Sequence, residues 1–327
     1  MGRLPESDKL KELRRENKEL RAETKRQAQL LDLTDGLDRI KITKIKPAHS
    51  RGTREATALS LLSDVHAEQR ITRSSTNGIN KYNPDICKAR LEWYFRNLLK
   101  LIAKERQDIK IDELLLGFLG DFIHGFIHEE YVSTNYMTPI EASLFVTELL
   151  ISGIEYILRD EKLKKIRVVC KVGNHSRTTL KPYTSKEALM SYEWVVYKHL
   201  EKHFRGNDRI EFIIEDSYYT YVKVYGMMVR MSHGHNIKFG GGVGGLEVPL
   251  KKAIYRTNEQ IKADLDCIGH FHSFLALQNV IVNGCVNGFD DYCIRIGVRP
   301  ETPRQTFALL DKNLGRTVTA PIFLEDV

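Results

Sequence analysis

The chain has 327 residues, a hydrophobic content of 42% and a net charge of +7 at neutral pH. This length and composition can supply one large domain with a real core, with or without an appendage. Because the segment after Met1 is charged and no run of about 18 uncharged apolar residues occurs, we expect a soluble cytoplasmic protein that does not span a membrane. The five cysteines form no CxxC pair, which favours reduced core thiols over disulfides or a zinc framework.

The basic charge is concentrated near the N-terminus. Residues 1–54 contain 15 Lys and Arg against 9 Asp and Glu, whereas residues 55–327 contain 35 against 34. A basic arm on a near-neutral domain is typical of a protein that binds a polyanion such as nucleic acid. A solvated, charged helix face would explain the same surplus, and the composition does not separate the two interpretations.

Residues 1–35 are predicted to form a basic helical extension. Residues at alternating three- and four-residue steps form a heptad seam that consists of Leu10, Leu13, Asn17, Leu20, Thr24, Gln27 and Leu31. Asn17 occupies an a position, where asparagine fixes the register of parallel two-stranded coiled coils. We expect a short coiled coil that forms a homodimer; a lone amphipathic helix packed on its own domain is the alternative.

The rest of the chain is predicted to be a linker followed by one α/β domain. Residues 36–55 alternate basic and β-branched residues until Pro47, which indicates a linker or an exposed edge strand. Strand-like and helical segments then alternate over residues 56–327, with helices expected at 85–105, 139–158 and 185–204. Asn-Gly and Leu-Gly breaks within residues 275–327 predict closing strands of a second sheet.

Five apolar, strand-like runs end in side chains that can bind metal. They are followed by Asp64-Val65-His66, Gly120-Asp121, Gly173-Asn174-His175, His233-Gly234-His235 and Gly269-His270-Phe271-His272. Ligand sites of α/β proteins lie where strands end, so Asp121 is the first candidate for a residue that bridges two metals. Asp64 and His66 are two residues apart, and an extended backbone would direct both side chains to one ion.

Candidates for substrate contact lie near these motifs. Residues 70–84 are polar, basic and rich in turn-forming residues, and a loop of this length usually has a function. Arg177, just beyond His175, and His235 are predicted to contact a phosphate group. Five glycines occur in residues 240–245, so Gly241 and Gly242 are predicted to offer main-chain amides to phosphate; a flexible hinge fits the same composition.

In their order along the chain, the five motifs resemble the signature blocks of the calcineurin-like metallophosphoesterase superfamily. The resemblance covers residues 56–275 and implies a two-sheet β-sandwich flanked by helices, with α/β/β/α layers and a binuclear metal centre at one edge. It assigns Asp64, His66 and His272 to the first metal, Asp121 to the bridge, and Asn174, His233 and His270 to the second metal. His175 would stand over the phosphate and protonate the leaving oxygen or stabilise charge.

The chemistry of this ligand set supports the same scheme. Mixed carboxylate, amide and imidazole ligands suit Mn²⁺, the ion that we expect, with Fe, Zn²⁺ and Ni²⁺ as alternatives. Two ions about 4 Å apart can share a hydroxide of lowered pKa, hold two phosphate oxygens and favour in-line attack on phosphorus. The sequence thus predicts a hydrolase that cleaves phosphoester bonds by attack of a metal-bridging hydroxide.

Two positions depart from the superfamily's pattern. His124 stands three residues after Asp121, where many phosphatases of the superfamily have Asp; this is more similar to its DNA-repair nucleases, so His124 joins Asp121 and His175 as a catalytic candidate. Ser176 stands where Asp or Glu is common, so a supporting acid is expected to be missing. The glycine-rich loop is also similar to that of several phage-encoded proteins of uncertain role.

Three functions remain open at this point. The favoured function is a metal-dependent phosphodiesterase that acts on DNA, because of the ligand set, His124 and the basic N-terminal segment. A phosphomonoesterase that acts on a phosphoprotein or a nucleotide is the second. The third is a nucleic-acid-binding or assembly protein with little turnover, although a binding module has no need for seven metal ligands and His175.

Overall fold

The computed structural model describes residues 6–37, 54–239, 245–297 and 299–325. The chain divides into two compact units, Met1–Arg51 and Gly52–Val327.

The described part of the first unit is a single helix. This helix, α1 (Glu6–Leu37), extends two residues beyond the predicted segment 1–35. On the predicted seam, Leu10, Leu13 and Leu20 are exposed, so these apolar side chains are available to a partner helix. The predicted linker lies mainly outside the described residues, so its conformation stays a prediction.

The second unit alternates strands and helices. In chain order these are β1 (Arg54–Leu62), α2 (Pro84–Glu105), β2 (Ile109–Phe118), α3 (Tyr131–Thr134), α4 (Pro139–Leu158), β3 (Lys165–Cys170), α5 (Tyr192–His203), β4 (Ile210–Ile214), β5 (Thr220–Val224), β6 (Met227–Ser232), α6 (Glu247–Asn258), β7 (Leu265–Ile268), β8 (Leu275–Ala276), β9 (Val280–Val282), α7 (Asp291–Ile296), β10 (Arg304–Asp311) and β11 (Gly315–Phe323). The predicted helix at 185–204 begins later, at Tyr192, because the Ser191 side chain accepts a hydrogen bond from the Glu193 amide and caps the helix there.

The strands form two sheets. The first has the order β11-β10-β1-β2-β3-β4 and the second the order β5-β6-β7-β9-β8. Strands β1 to β4 are mutually parallel, as are β6, β7 and β9. Because parallel strands end at the same edge of a sheet, each sheet carries several motifs to one edge.

The prediction for residues 275–327 is correct only in part. Strands β8 and β9 belong to the second sheet, but β10 and β11 extend the first. Strand β10 pairs antiparallel with β1, for example Ala56 with Asp311. The pairing of β10 with β1, which is distant in sequence, depends on tertiary packing. The local pattern of apolar runs and turns does not specify it.

Alternating side chains of the central strands fill separate cores. Leu114 and Leu116 of β2 pack towards helices α2, α4 and α5, whereas Leu115 packs between the two sheets. A third core, which includes Leu250 of α6 and Val282 of β9, lies on the outer face of the second sheet. A strand buried on both faces requires a continuous apolar run, which is what the sequence of β2 provides. The predicted α/β/β/α layering is confirmed.

Two predictions from composition can be compared with the structure. All five cysteines are buried free thiols, as expected for core residues. In the described part of the chain, no helix is both long enough and apolar enough to span a lipid bilayer.

Candidate metal centre

The five motifs meet at one edge of the molecule. The loops after β1, β2 and β3 are neighbours because these strands are adjacent and parallel. They are also joined directly, since the Asp64 amide donates to the Gly120 carbonyl at 2.9 Å and the Val65 amide to the Asp121 carbonyl at 2.7 Å. The loops after β6 and β7 bring the candidate ligands His233, His270 and His272 from the second sheet.

Asp64, His66 and His272 form the first cluster of candidate ligands. Their ligand atoms all lie within 4.8 Å of one another. His272 Nε2 is 3.1 Å from His66 Nε2 and 3.5 Å from Asp64 Oδ1. Burial lowers the pKa of His66 well below its usual value, so its ring is neutral and available as a ligand. The structure thus brings together the three residues assigned to the first metal.

Asp121, His233 and His270 form the second cluster, with all ligand atoms again within 4.8 Å. Asn174, the amide ligand of the predicted set, places its Oδ1 3.1 Å from His233 Nε2. Asp121 Oδ2 lies 2.9 Å from the same nitrogen. All four residues assigned to the second metal therefore lie together, while the bridging role of Asp121 stays a prediction.

The hydrogen bonds of His233 test whether this cluster fits a cation. Its Nδ1 is 2.7 Å from the Leu119 carbonyl, which can only accept, so Nδ1 carries the hydrogen. The Nε2 lone pair of a neutral ring would then face two acceptor oxygens, from Asp121 and Asn174. Burial opposes protonation, but the charge and hydrogen bond of Asp121 outweigh it and raise the pKa of His233 to about 9. A divalent ion in place of that proton would satisfy all three atoms, so the donor set fits a metal.

His175 is oriented by two hydrogen bonds. Its amide donates to Asp121 Oδ1 at 2.8 Å, and its Nδ1 lies 3.0 Å from the His124 carbonyl. Since a carbonyl only accepts, Nδ1 carries a hydrogen and Nε2 is the nitrogen left for substrate. Burial lowers the pKa of His175, which favours the neutral ring.

His124 lies behind the first cluster. Its Nδ1 is 3.0 Å from His66 Nδ1, whereas the Nε2 of His66 faces His272. Its ring stacks on His175 with centroids 4.9 Å apart and lies against Tyr131 at 4.0 Å. His124 therefore contacts a ligand and the proposed acid, and its catalytic role stays a prediction.

The predicted substrate contacts are only partly described. Arg177 donates from Nη1 to the Asn174 carbonyl at 2.8 Å, and His235 Nε2 lies 2.7 Å from Glu187 Oε1. The His235 ring centroid is 5.5 Å from that of His233, so both residues lie beside the second cluster. Gly241 and Gly242 fall outside the described residues.

The predicted loop 70–84 packs against residues next to the site. Asn80 donates from its amide group to the carbonyls of Asn287 and Phe289, both at 2.8 Å. Tyr82 donates its hydroxyl to the carbonyl of Val65, between two first-cluster ligands, at 2.6 Å. These buried contacts give the segment a supporting role; contact with substrate stays a prediction for its exposed tip.

Comparisons with known proteins detect similarity at the level of structure. No family model matches the chain, and no curated protein matches it. An archaeal phosphodiesterase is 15% identical over 81% of this chain and 99% of that one, with a TM-score of 0.34. The calcineurin-like phosphoesterase YfkN from Bacillus subtilis is 13% identical over 83% and 91%, with a TM-score of 0.32. A putative 5'-nucleotidase from Staphylococcus aureus is 13% identical over 83% and 55%, with a TM-score of 0.36. Similarities of this size carry no argument about activity.

What decides the fold is the chain's own architecture. Two sheets lie face to face between helical layers, and five strand-end motifs place two ligand clusters at one edge. The chain has the two-sheet α/β/β/α fold that the sequence resemblance implied. The resemblance noted in the sequence is confirmed at the level of fold, and the seven residues that it assigned to metal binding lie together in two clusters. Their role as ligands stays a prediction.

Backbone strain is concentrated in this site. The candidate ligands Asp64, His66, Asp121, His270 and His272 all have positive φ, between 47° and 71°, so the extended backbone predicted for Asp64 and His66 is wrong. The left-handed region is unfavourable for residues with a Cβ and persists where surrounding structure requires it. Main-chain hydrogen bonds between neighbouring loops hold these residues in the left-handed conformation. In this conformation their carboxylate and imidazole groups lie at the sheet edge.

A buried polar network behind Asp64 was not predicted. Ser63 donates its hydroxyl to Asp64 Oδ2 at 2.5 Å and accepts from Asn283 at 2.9 Å. Gln305 Oε1 accepts from the Ser63 amide at 2.9 Å and from Asn283 at 2.7 Å. Every residue from 283 to 290 is buried, although the Asn-Gly pairs there indicate breaks between strands in the sequence. Asn283 serves this network and Asn287 donates to Gln69, roles that composition alone does not reveal.

Two buried glutamates were also missed. Glu68 accepts hydrogen bonds from the amides of His124 and Gly125, each at 2.8 Å. Glu193 accepts from the amides of Phe122 at 2.6 Å and Gly173 at 2.8 Å. Burial raises the pKa of Glu68 to about 7 and that of Glu193 to about 8, and the amide hydrogen bonds oppose this rise by favouring the charged forms. The only sequence signals were their positions, two residues after His66 and in the first turn of a helix.

Proposed function

We propose that the chain is a metal-dependent phosphoester hydrolase whose preferred substrate is DNA. The observation that carries the hydrolase proposal is the pairing of two ligand clusters with His175, whose Nδ1 is held by a carbonyl and whose amide is held by Asp121. A site for metal binding alone requires the ligands but not an imidazole oriented in this way.

Seven side chains would hold two ions. Asp64, His66 and His272 would hold the first, and Asn174, His233 and His270 the second, with Asp121 between them. Two divalent ions bound there would lower the pKa of a water molecule towards neutrality and neutralise charge on a phosphate group.

The chain's own residues supply orientation and proton transfer. His175, with Nδ1 fixed as donor to the His124 carbonyl, would direct Nε2 at the leaving oxygen. Because burial favours the neutral ring, Nε2 would first take up a proton and then deliver it to the leaving oxygen as general acid. Arg177 lies next to Asn174, where its cationic group can contact a phosphate oxygen. The His124 side chain, packed on His66 and His175, would keep both rings in place.

Two sequence features support DNA as the substrate. His124 stands where many related phosphatases have Asp, and residues 1–54 carry 15 basic against 9 acidic residues. A basic arm would contribute contacts to backbone phosphates that do not depend on base sequence. Mn²⁺ is the ion that we propose, since mixed carboxylate, amide and imidazole ligands suit it.

The test is cleavage of end-labelled single- and double-stranded DNA with Mn²⁺. The native protein is compared with Asp121→Asn and His175→Asn, and with His199→Asn, which alters an exposed histidine of α5 outside the site, as matched control. We expect cleavage by the native protein and the control and at least about a 100-fold loss in both site variants.

Other outcomes would separate the alternatives. Hydrolysis of p-nitrophenyl phosphate without DNA cleavage would replace the nuclease proposal by a phosphomonoesterase. Absence of both activities in protein shown to contain two Mn²⁺ ions would overturn the hydrolase proposal in favour of a binding or assembly role. The pattern of labelled fragments would separate endonuclease from exonuclease action.

A further inference from the structure

Glu193 occupies a central position behind the second cluster. It lies in the first turn of α5, is completely buried, and accepts one main-chain hydrogen bond on each carboxylate oxygen. The donor on one side is Phe122, the residue after Asp121. The donor on the other side is Gly173, the residue before Asn174. One carboxylate thus connects the two loops that carry two ligands of the same predicted ion.

The two loops pack backbone against backbone, which leaves little room for other links between them. A Cβ added to Gly120 would lie 2.3 Å from the Gly173 nitrogen. Without Glu193, the main-chain amides of Phe122 and Gly173 would be buried donors without a hydrogen-bond partner, which is unfavourable. Glu193 therefore fixes how far apart the loops lie and in which direction their side chains point.

Ser176 connects this carboxylate to the motif from which an acid is missing. Its hydroxyl is 2.6 Å from the Ser191 hydroxyl, and Ser191 accepts from the Glu193 amide at 3.1 Å. Ser191 is also the residue that caps α5. The Ser176–Ser191 contact thus holds the start of α5 against the Asn174 loop. In this position Glu193 reaches the amides of both Phe122 and Gly173.

Glu68 provides an internal comparison. It makes the same kind of double contact, but with His124 and Gly125. The His124 carbonyl accepts from His175 Nδ1, so this contact supports the proposed acid rather than the second cluster. The two glutamates therefore act on different parts of one site.

We propose that Glu193 is a positioning residue for the second metal, which supplies from α5 the acid that is missing at position 176. This inference rests on the proposed two-metal site. It predicts that loss of the Glu193 carboxylate weakens one of two ions selectively, because Asn174 serves the second ion alone. The shared Asp121 keeps its carbonyl hydrogen bonds from the Val65 and His66 amides, and Asp64 keeps those from Ser63 and His270. Changes to groups that support metal ligands typically reduce affinity about 10–100-fold.

The test measures Mn²⁺ binding by calorimetry and by electron paramagnetic resonance, with no substrate present. Glu193→Gln keeps the size of the side chain but turns an amide donor towards one main-chain N–H. We expect one native-like binding step, a second step weakened about 10–100-fold, and loss of the spin-coupled signal of an ion pair at two equivalents of Mn²⁺.

Two further variants give matched comparisons. Glu68→Gln is expected to keep the spin-coupled signal and to lower kcat, since it acts on His175. Glu201→Gln changes a half-exposed glutamate on the same helix, which pairs with Lys198, and should match the native protein in every readout.

The outcomes separate this inference from the proposed function. If the native protein does not bind two Mn²⁺ ions, the proposed function fails. If it binds two and Glu193→Gln binds both with native affinity and a native signal, or weakens both equally, only the role of Glu193 is overturned. Should Glu193→Gln not fold, as judged by circular dichroism, Ser191→Ala tests the same link more mildly. It is expected to weaken the second ion alone, and an equal effect on both ions would contradict the proposal.

Discussion

The main-chain amide of His175 donates a hydrogen bond to Oδ1 of Asp121 at 2.8 Å. The other oxygen of the same carboxylate lies 2.9 Å from His233 Nε2. Asp121 therefore touches the proposed acid through one oxygen and the second ligand cluster through the other. Any movement of this carboxylate would disturb both at once.

Gly173→Ala is expected to displace the carboxylate. A Cβ at this position would lie 2.0 Å from Asp121 Oδ1 and 2.3 Å from the Asp121 nitrogen, closer than any real contact. We expect loss of the second Mn²⁺ and a fall in kcat of at least about 100-fold, measured by calorimetry and by hydrolysis. Gly226→Ala, which would meet no heavy atom within 4 Å, is the control. Native Mn²⁺ binding by Gly173→Ala would contradict the predicted role of Asp121 as a ligand.

His175→Asn should lower kcat in a way that depends on the leaving group. Loss of a general acid costs about 10²–10⁴-fold when the leaving oxygen needs a proton. The loss should be much smaller for p-nitrophenyl esters, whose leaving group departs without one. Equal losses for good and poor leaving groups, with Mn²⁺ affinity unchanged, would show that His175 stabilises charge instead.

Mn²⁺ binding should release a proton near neutral pH. The raised pKa of His233, about 9, means that its ring is protonated in the metal-free protein at pH 7. Since imidazole binds metal only when neutral, affinity should rise as the pH increases towards 9 and then level off. Calorimetry in buffers of different ionisation enthalpy counts the released protons. His233→Ala should lack this release, and an absence of release in the native protein would argue against His233 as a ligand.

Helix α1 is predicted to join two copies of the chain. The exposed seam leucines Leu13 and Leu20 would be buried in a parallel coiled coil. Replacement of both by Lys should convert a dimer into a monomer in analytical ultracentrifugation, while Lys18→Gln, off the seam, should not. A native protein that sediments as a monomer at micromolar concentration would exclude this role.

Removal of residues 1–54 tests the proposed DNA contact. The truncated chain should bind DNA more weakly, and log Kd should depend less steeply on log salt, by about one unit for each phosphate that the segment neutralises. Mn²⁺ stoichiometry serves as the control for an intact site. An unchanged affinity and salt slope would remove the N-terminal segment from the DNA interface.

The clustering of the candidate ligands could be predicted from local signals together with the family resemblance. An apolar run followed by Gly-Asp or Gly-Asn-His marks both the strand and its end, and the structure brings the seven candidate ligands together at one edge. The parallel order of β1, β2 and β3 follows from the same alternation of strands and helices.

The supporting residues could not be predicted, because their role depends on position in space. Glu193 is 71 residues from Phe122, and in the sequence it resembles an ordinary acid in the first turn of a helix. The asparagines of 283–290 resemble turn residues, yet Asn283 and Asn287 are buried and donate to Ser63 and Gln69. In both cases tertiary packing gives a common residue an uncommon role.

The network behind Asp64 has a consequence for the order of events during protein synthesis. Ser63, which holds Asp64, depends on Gln305, a residue 242 positions later. A chain still attached to the ribosome therefore exposes the first motifs long before the side chains that brace them are made. The first cluster of the nascent protein would lack this support during most of synthesis. The hydrolase would become able to bind metal and cleave its substrate only when β10 has joined the sheet.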